Sequence, residues 1–165
     1  MTTQILCGLF LGAAVSGVFP LVNAELLVVA TAATLPASAV PTVAVVTALG
    51  QMITKTGLYG FARWLPSRLP AKARAALQRI SVTLAARPRA AGSLVFCSAA
   101  VGLPPFYGTS LTCGALRVRL ATFVISGMLG RIARFAILAV GAQRVGAQIA
   151  EIALTLVSGA QGVVS

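Results

Sequence analysis

The sequence predicts a single all-α integral membrane domain over residues 1–165, with two opposed re-entrant helical hairpins and two to three transmembrane helices in a pseudo inverted repeat. Three observations predict it. Apolar residues make up 58% of the chain and charged residues only 9%, which is too few charges to coat a soluble globule. Two apolar runs are long enough to cross a bilayer. Two further apolar stretches are interrupted in the middle by turn-forming residues.

Composition excludes most hydrolytic chemistry. The chain has no His and no Asp, so a Ser-His-Asp triad, a His-based zinc site and an Asp-rich magnesium site lack their essential groups. We therefore expect no enzyme, no cofactor and no metal. A net charge of +11 on a chain with a mean hydropathy of +0.97 favours anionic lipid head groups as partners rather than nucleic acid. A homo-oligomer is left open.

Each interrupted stretch predicts a re-entrant hairpin, because neither half is long enough to span a bilayer. The first hairpin covers 4–35 and turns at Pro20. The second covers 90–116 and turns at Pro104 and Pro105. A secretory signal peptide is the alternative for the first stretch, although no basic residue begins it.

Between the hairpins, the run 38–62 predicts a transmembrane helix, and 119–141 predicts a second. A weaker run over 145–163 predicts a terminal helix. Residues 63–89 are strongly basic, which predicts a cytoplasmic loop, with either an interfacial amphipathic helix over Pro70–Ala86 or a solvated chain. One crossing then separates the hairpins, so they enter from opposite sides. The Arg-rich, Ala-rich composition suits the inner membrane of a high-GC bacterium.

Glu25 is the main candidate for a functional side chain, because it is the sole acidic residue before residue 151 and follows the first turn. An ionised carboxylate is costly in an apolar stretch. We therefore expect Glu25 to be protonated, hydrogen-bonded to free backbone groups or paired with an Arg. A structural role is the alternative, in which Asn23 caps the returning helix and Glu25 favours its N-terminus.

Four arginines are candidates for binding a head group or a counter-charge. Arg131 and Arg134 share one helix face and should point into the protein, unless a late helix start puts them at an interface. Arg117 and Arg119 follow the second hairpin and are ligands or interfacial anchors. Lys55 is expected to extend to the cytoplasmic interface.

The segment from Ser16 to Val28, with Pro20 and Glu25, resembles the first hairpin of the DedA superfamily, also called the VTT or SNARE-associated Golgi protein family. The residues from Pro105 to Ile137 are also similar to it. There Gly114, Val118 and Phe123 have the spacing of the family's glycine, apolar and aromatic motif, and Gly114 belongs to the hairpin with Pro104 and Pro105. The likeness covers about residues 10 to 140 and is nearest to the small YqaA-like branch.

The resemblance implies a protein that moves lipids between leaflets, either polyprenyl phosphate carriers or phospholipids, with Glu25 as the proton site. The first half of the sequence lacks the second acidic residue of larger family members, and the chain lacks their Arg-rich approach to the second hairpin. Two alternatives remain: a small proton- or cation-coupled antiporter, and a membrane-homeostasis scaffold that transports nothing.

Overall fold

The computed structural model describes residues 2–19, 23–64, 75 and 88–162. This part of the chain is helical apart from short connections and contains no β-strand, so the expected all-α class is confirmed for it. Its helices are α1 (Thr2–Val18), α2 (Ala24–Thr34), α3 (Val40–Trp64), α4 (Pro88–Val101), α5 (Phe106–Ala115) and α6 (Leu120–Gly162), with a 3-10 turn at Ala37–Ala39. The predicted basic loop over 63–89 lies almost wholly outside the described residues.

Two helices, α3 and α6, are long and apolar enough to cross a membrane. The candidate spans are Ala37–Trp64 and Leu120–Ile149, and only 44% and 33% of their apolar windows are buried. They therefore differ from core helices that are enclosed by protein. Large apolar side chains on them face outward, as Ile53, Ile125 and Ile137 do at 60%, 60% and 72% exposure.

Helix α6 continues without a break where the sequence predicts two helices, over 119–141 and 145–163. The expectation of a separate terminal helix is wrong for the described residues. Hydropathy falls at Gln143, but glutamine is a good helix former and does not end a helix. The Nε2 of Gln143 donates to the carbonyls of Ala32 and Leu35 at 3.3 and 3.2 Å. It thereby satisfies two backbone acceptors at the end of α2.

The first interrupted stretch forms the helix pair α1–α2. The two helices fold back on each other, since a Cβ placed on Gly12 would lie 2.9 Å from Leu27 Cδ1. Helix α2 begins after Asn23, whose Oδ1 accepts a hydrogen bond from the Glu25 amide at 2.9 Å. Pro20 lies outside the described residues.

The second interrupted stretch forms the helix pair α4–α5, separated by Pro104 and Pro105. Proline removes a helical hydrogen bond and clashes with the preceding turn, so the break falls where the sequence predicts it. Gly102 adopts a φ of 90° at the end of α4. The hydroxyl of Ser98 contacts that of Thr109 at 2.8 Å and links the two helices.

Glycines let the first helix of each pair pack directly on a spanning helix. A Cβ on Gly50 of α3 would lie 2.5 Å from the Phe10 carbonyl oxygen of α1. A Cβ on Gly130 of α6 would lie 2.6 Å from the Phe96 carbonyl oxygen of α4. No side chain fits in either gap, so the backbones are in contact.

The second helix of each pair packs on the other spanning helix. Helix α5 contacts α3, where a Cβ on Gly114 would overlap the Tyr59 carbonyl. Helix α2 contacts α6, and buries Val28 and Ala32 in one cluster with Phe135. Each spanning helix therefore carries one helix from each pair.

Candidate functional site

Buried polar side chains are concentrated on α3, α4 and α5. In the described part of the chain they are Thr47, Gln51, Lys55, Ser98, Thr109 and Ser110. The hydroxyls of Thr47 and Ser110 each donate to a carbonyl one turn back at 2.7 Å, which is a structural role. Gln51 and Lys55 instead bond to other helices. We call these two, together with Glu25, Arg131 and Arg134, the polar cluster.

Arg134 joins the two helix pairs through three hydrogen bonds. Its Nε donates to Glu25 Oε1 at 3.1 Å, and its Nη2 forms an ion pair with the same oxygen. Its Nη1 donates to the Ala100 carbonyl at 3.2 Å. The Arg134 and Glu25 side chains are 23% and 42% exposed, so the pair lies at an open edge. Glu25 is thus both paired with an arginine and placed in the first turn of α2, where a carboxylate is favourable.

Arg131 lies where α3 and α6 meet. Its Nη1 donates to Gln51 Oε1, and Gln51 Nε2 donates to Ser16 Oγ at 2.9 Å. The guanidinium carbon lies 4.6 Å from the centre of the Phe106 ring. Its Nε is buried without a hydrogen-bond partner among the described residues. A buried donor left unsatisfied costs about 1–3 kcal/mol, so Arg131 retains a donor that an additional acceptor would satisfy.

Lys55 is buried in the protein, at 6% exposure, so the expectation that it extends to the interface is wrong. Its Nζ donates to the Gly17 carbonyl at 2.7 Å and lies 4.9 Å from the centre of the Tyr107 ring. The carbonyl at the end of α1 carries the negative end of the helix dipole, which favours the ammonium there. The neighbouring Thr54 hydroxyl donates to the Ala14 carbonyl at 2.8 Å and fixes the same contact.

The polar cluster has an excess of positive charge. It holds three cations, Lys55, Arg131 and Arg134, and one carboxylate, Glu25, which gives a formal charge of +2. Arg131 is close enough to repel both other cations. The chain has two acidic residues, and Glu151 lies 20 residues beyond Arg131 on α6, about 30 Å away along the helix. This arrangement attracts an anion rather than a further cation.

Comparison of the chain with protein-family models, curated proteins and solved structures returns no match. Among the described residues, no three His, Cys, Asp or Glu side chains are grouped so that they could hold a metal ion.

Arg117 and Arg119 lie apart from the polar cluster. Both are exposed in the connection before α6, about 17 Å along that helix from the level of Arg131. Arg117 has a φ of 55°. Its amide donates to the Gly114 carbonyl at 3.0 Å, and the next amide donates to the Cys113 carbonyl at 3.0 Å, which is a Schellman ending of α5.

The glycine, apolar and aromatic motif surrounds Tyr59. Gly114 lies against the Tyr59 backbone, and the Val118 carbonyl accepts a hydrogen bond from the Tyr59 hydroxyl at 2.5 Å. The Phe123 ring stacks on the Tyr59 ring with centroids 5.0 Å apart. The motif therefore fastens α5 and the start of α6 to α3, as a structural element.

Sequence reasoning missed Gln51 and Lys55 as members of the site. One signal was available, because they are polar residues four apart in an otherwise apolar helix and therefore share a face. Tyr107 has no such signal, since its contact with Lys55 depends on how α5 packs on α3.

Proposed function

We propose that this chain is an integral membrane protein of the DedA type that moves a phosphate-bearing lipid, a polyprenyl phosphate or a phospholipid, between leaflets. The observation that carries the proposal is the excess positive charge of the polar cluster, held where two candidate spanning helices meet. Buried ionisable groups at membrane depth ordinarily mark a substrate path. The resemblance of Pro105 to Ile137 to the DedA superfamily supports the same function.

In this proposal, the pairs α1–α2 and α4–α5 are re-entrant hairpins. Their helices have 17, 11, 14 and 10 residues, which is about 26, 17, 21 and 15 Å and less than a hydrocarbon core of about 30 Å. Matching backbone contacts at Gly50 and Gly130 support an inverted repeat that relates the two halves. The basic loop over 63–89 faces the cytoplasm of a bacterial inner membrane.

The head group crosses along the polar cluster while the lipid tails remain in the bilayer. Arg134 holds Glu25 from one hairpin and the Ala100 carbonyl from the other, so the contact acts as a gate. Protonation of Glu25 removes the charge that holds Arg134, and the freed guanidinium then binds phosphate. Proton coupling follows if that protonation is required in every cycle.

A cation antiporter is the less favoured function. The polar cluster holds three positive charges and one carboxylate, so a further cation would be repelled. A scaffold that transports nothing is also less favoured. It would have no use for an excess of positive charge or for the unsatisfied Nε of Arg131.

Leaflet exchange tests the proposal. Purified protein in liposomes is given labelled phospholipid or labelled polyprenyl phosphate, and exchange is compared with empty liposomes. We expect the wild type to exchange at least one of them. Glu25→Gln should slow exchange about tenfold or more, because glutamine cannot regain the negative charge that takes Arg134 back and releases the phosphate at the end of a cycle. Glu151→Gln, which removes the other acidic residue, is the matched control and should exchange at the wild-type rate. Exchange no faster than in empty liposomes contradicts the proposal, and proton-driven cation flux in its place identifies an antiporter.

A further inference from the structure

Lys55 is a buried cation that touches no carboxylate in the part of the chain that the structure describes. Its neighbours are the Gly17 carbonyl and the Tyr107 ring. Glu25, the nearer of the two acidic residues of the chain, is bound to Arg134. Buried charges in proteins are ordinarily paired with an opposite charge, so the surroundings of Lys55 are incomplete.

Arg134 has matching surroundings on the other spanning helix. Lys55 donates to the carbonyl of Gly17, the second-last residue of α1, and Arg134 donates to the carbonyl of Ala100, the second-last residue of α4. Lys55 then contacts Tyr107, the second residue of α5, and Arg134 contacts Glu25, the second residue of α2. Each cation thus joins the end of one helix to the beginning of a helix from the other pair.

The two settings differ in the side chain that covers the cation. At Arg134 it is the Glu25 carboxylate, and at Lys55 it is the neutral Tyr107 ring. The N-termini of α2 and α5 also differ in whether a side-chain acceptor precedes the helix. Asn23 accepts a hydrogen bond from the first turn of α2, whereas Pro105 before α5 provides no side-chain acceptor. One negative charge is therefore missing at the Lys55 setting.

We propose that Lys55 and Tyr107 form a binding subsite for a phosphate group, and that the bound phosphate takes the place that Glu25 has beside Arg134. This inference rests on the proposed function, because it assigns the phosphate to the head group of the transported lipid. The Tyr107 side chain is 47% exposed, and a Cβ on the adjacent Gly108 would meet nothing within 4 Å. The ring therefore has room to turn aside and admit the phosphate to Nζ.

Arg131 strengthens the subsite. It repels Lys55, and a bound anion relieves that repulsion. It also stacks on Phe106, the residue before Tyr107, so both cations lie beside the start of α5.

The experiment compares two substitutions of Tyr107 that have nearly the same size. Tyr107→Glu supplies the missing carboxylate within the chain, and Tyr107→Gln supplies an uncharged equivalent. Each variant, in neutral detergent, is titrated with dioctanoyl phosphatidic acid by calorimetry, and its thermal unfolding is recorded. We expect Tyr107→Glu to bind phosphatidic acid about tenfold or more weakly than Tyr107→Gln, because the new carboxylate forms an ion pair with the Lys55 ammonium. It should also unfold at a higher temperature than Tyr107→Gln. Equal affinity in the two variants overturns the subsite.

Two further arms identify the ligand. Lys55→Gln should lose binding, and Arg144→Gln, a change to an exposed arginine of α6 outside the polar cluster, should retain it. If Lys55→Gln does not fold, the comparison of Tyr107→Glu with Tyr107→Gln still tests the subsite. Inorganic phosphate that binds as tightly as phosphatidic acid supports an anion subsite and overturns the lipid head group as its ligand. Lipid binding by a wild type that exchanges no lipid in liposomes supports the subsite and overturns the proposed function.

Discussion

The ion pair between Glu25 and Arg134 can be tested by a double-mutant cycle. Arg134→Gln removes the donors to Glu25 and to the Ala100 carbonyl and leaves a carboxylate without its cation. Glu25→Gln leaves a guanidinium that is 23% exposed facing an uncharged amide. Breaking a fully buried pair costs about 3–5 kcal/mol, whereas an exposed pair contributes about 0–1 kcal/mol. Because Glu25 is 42% exposed, solvent screens the pair, and we expect about 2 kcal/mol for each single change and a coupling of about 1–2 kcal/mol.

The assay is unfolding in mixed micelles of neutral detergent and dodecyl sulfate, followed by the fluorescence of Trp64, the single tryptophan of the chain. The free energy of unfolding is measured for the wild type, both single variants and the double variant. Glu25→Gln combined with Arg119→Gln is the control, and its effects should add within about 0.5 kcal/mol. If Glu25→Gln and Arg134→Gln also add, the charges do not meet, and the contact proposed to act as a gate is absent.

Three further predictions concern packing and orientation. Gly130→Ala forces a Cβ to within 2.6 Å of the Phe96 carbonyl and should lower the free energy of unfolding by about 1–3 kcal/mol. Gly141→Ala on the same helix meets nothing within 4 Å and should be neutral or stabilising by up to about 1 kcal/mol, so equal effects in the same unfolding assay contradict the packing of α4 on α6. Arg117→Gly relieves a positive φ and should raise the free energy of unfolding by about 1 kcal/mol, and a loss of stability would count against the Schellman ending. A single cysteine at Ser81 should react with impermeant maleimide only when the cytoplasmic side is open, and labelling of intact cells reverses the proposed orientation.

The helix breaks and the position of Glu25 are predictable because they depend on local chemistry. Pro104 and Pro105 interrupt the interior of an apolar run, where each removes a helical hydrogen bond and clashes with the preceding turn. A lone carboxylate in an apolar stretch needs a partner wherever the stretch folds, and an arginine cluster such as the one that includes Arg134 supplies it.

The burial of Lys55 and the length of α6 were not predictable in the same way. Lys55 is nine residues from the end of α3, so a reading of the sequence places it within reach of the interface. What buries it is the end of α1, 38 residues earlier, and a tyrosine 52 residues later. At Gln143, hydropathy falls because the side chain is polar, and hydropathy reports the preferred solvent of a residue rather than the continuity of a helix. The first error comes from contacts between distant segments, and the second from the use of hydropathy to place a helix end.

The position of Arg134 also affects the order of synthesis. Glu25 and Arg134 are 109 residues apart, so at translation rates of about 5–20 residues per second the carboxylate leaves the ribosome roughly 5–20 s before its cation. Over that interval, α2 has no α6 to cover Val28 and Ala32. During that interval Glu25 lacks the arginine with which it is paired in the folded chain, so the contact that joins the two helix pairs forms only after the first part of α6 has been made.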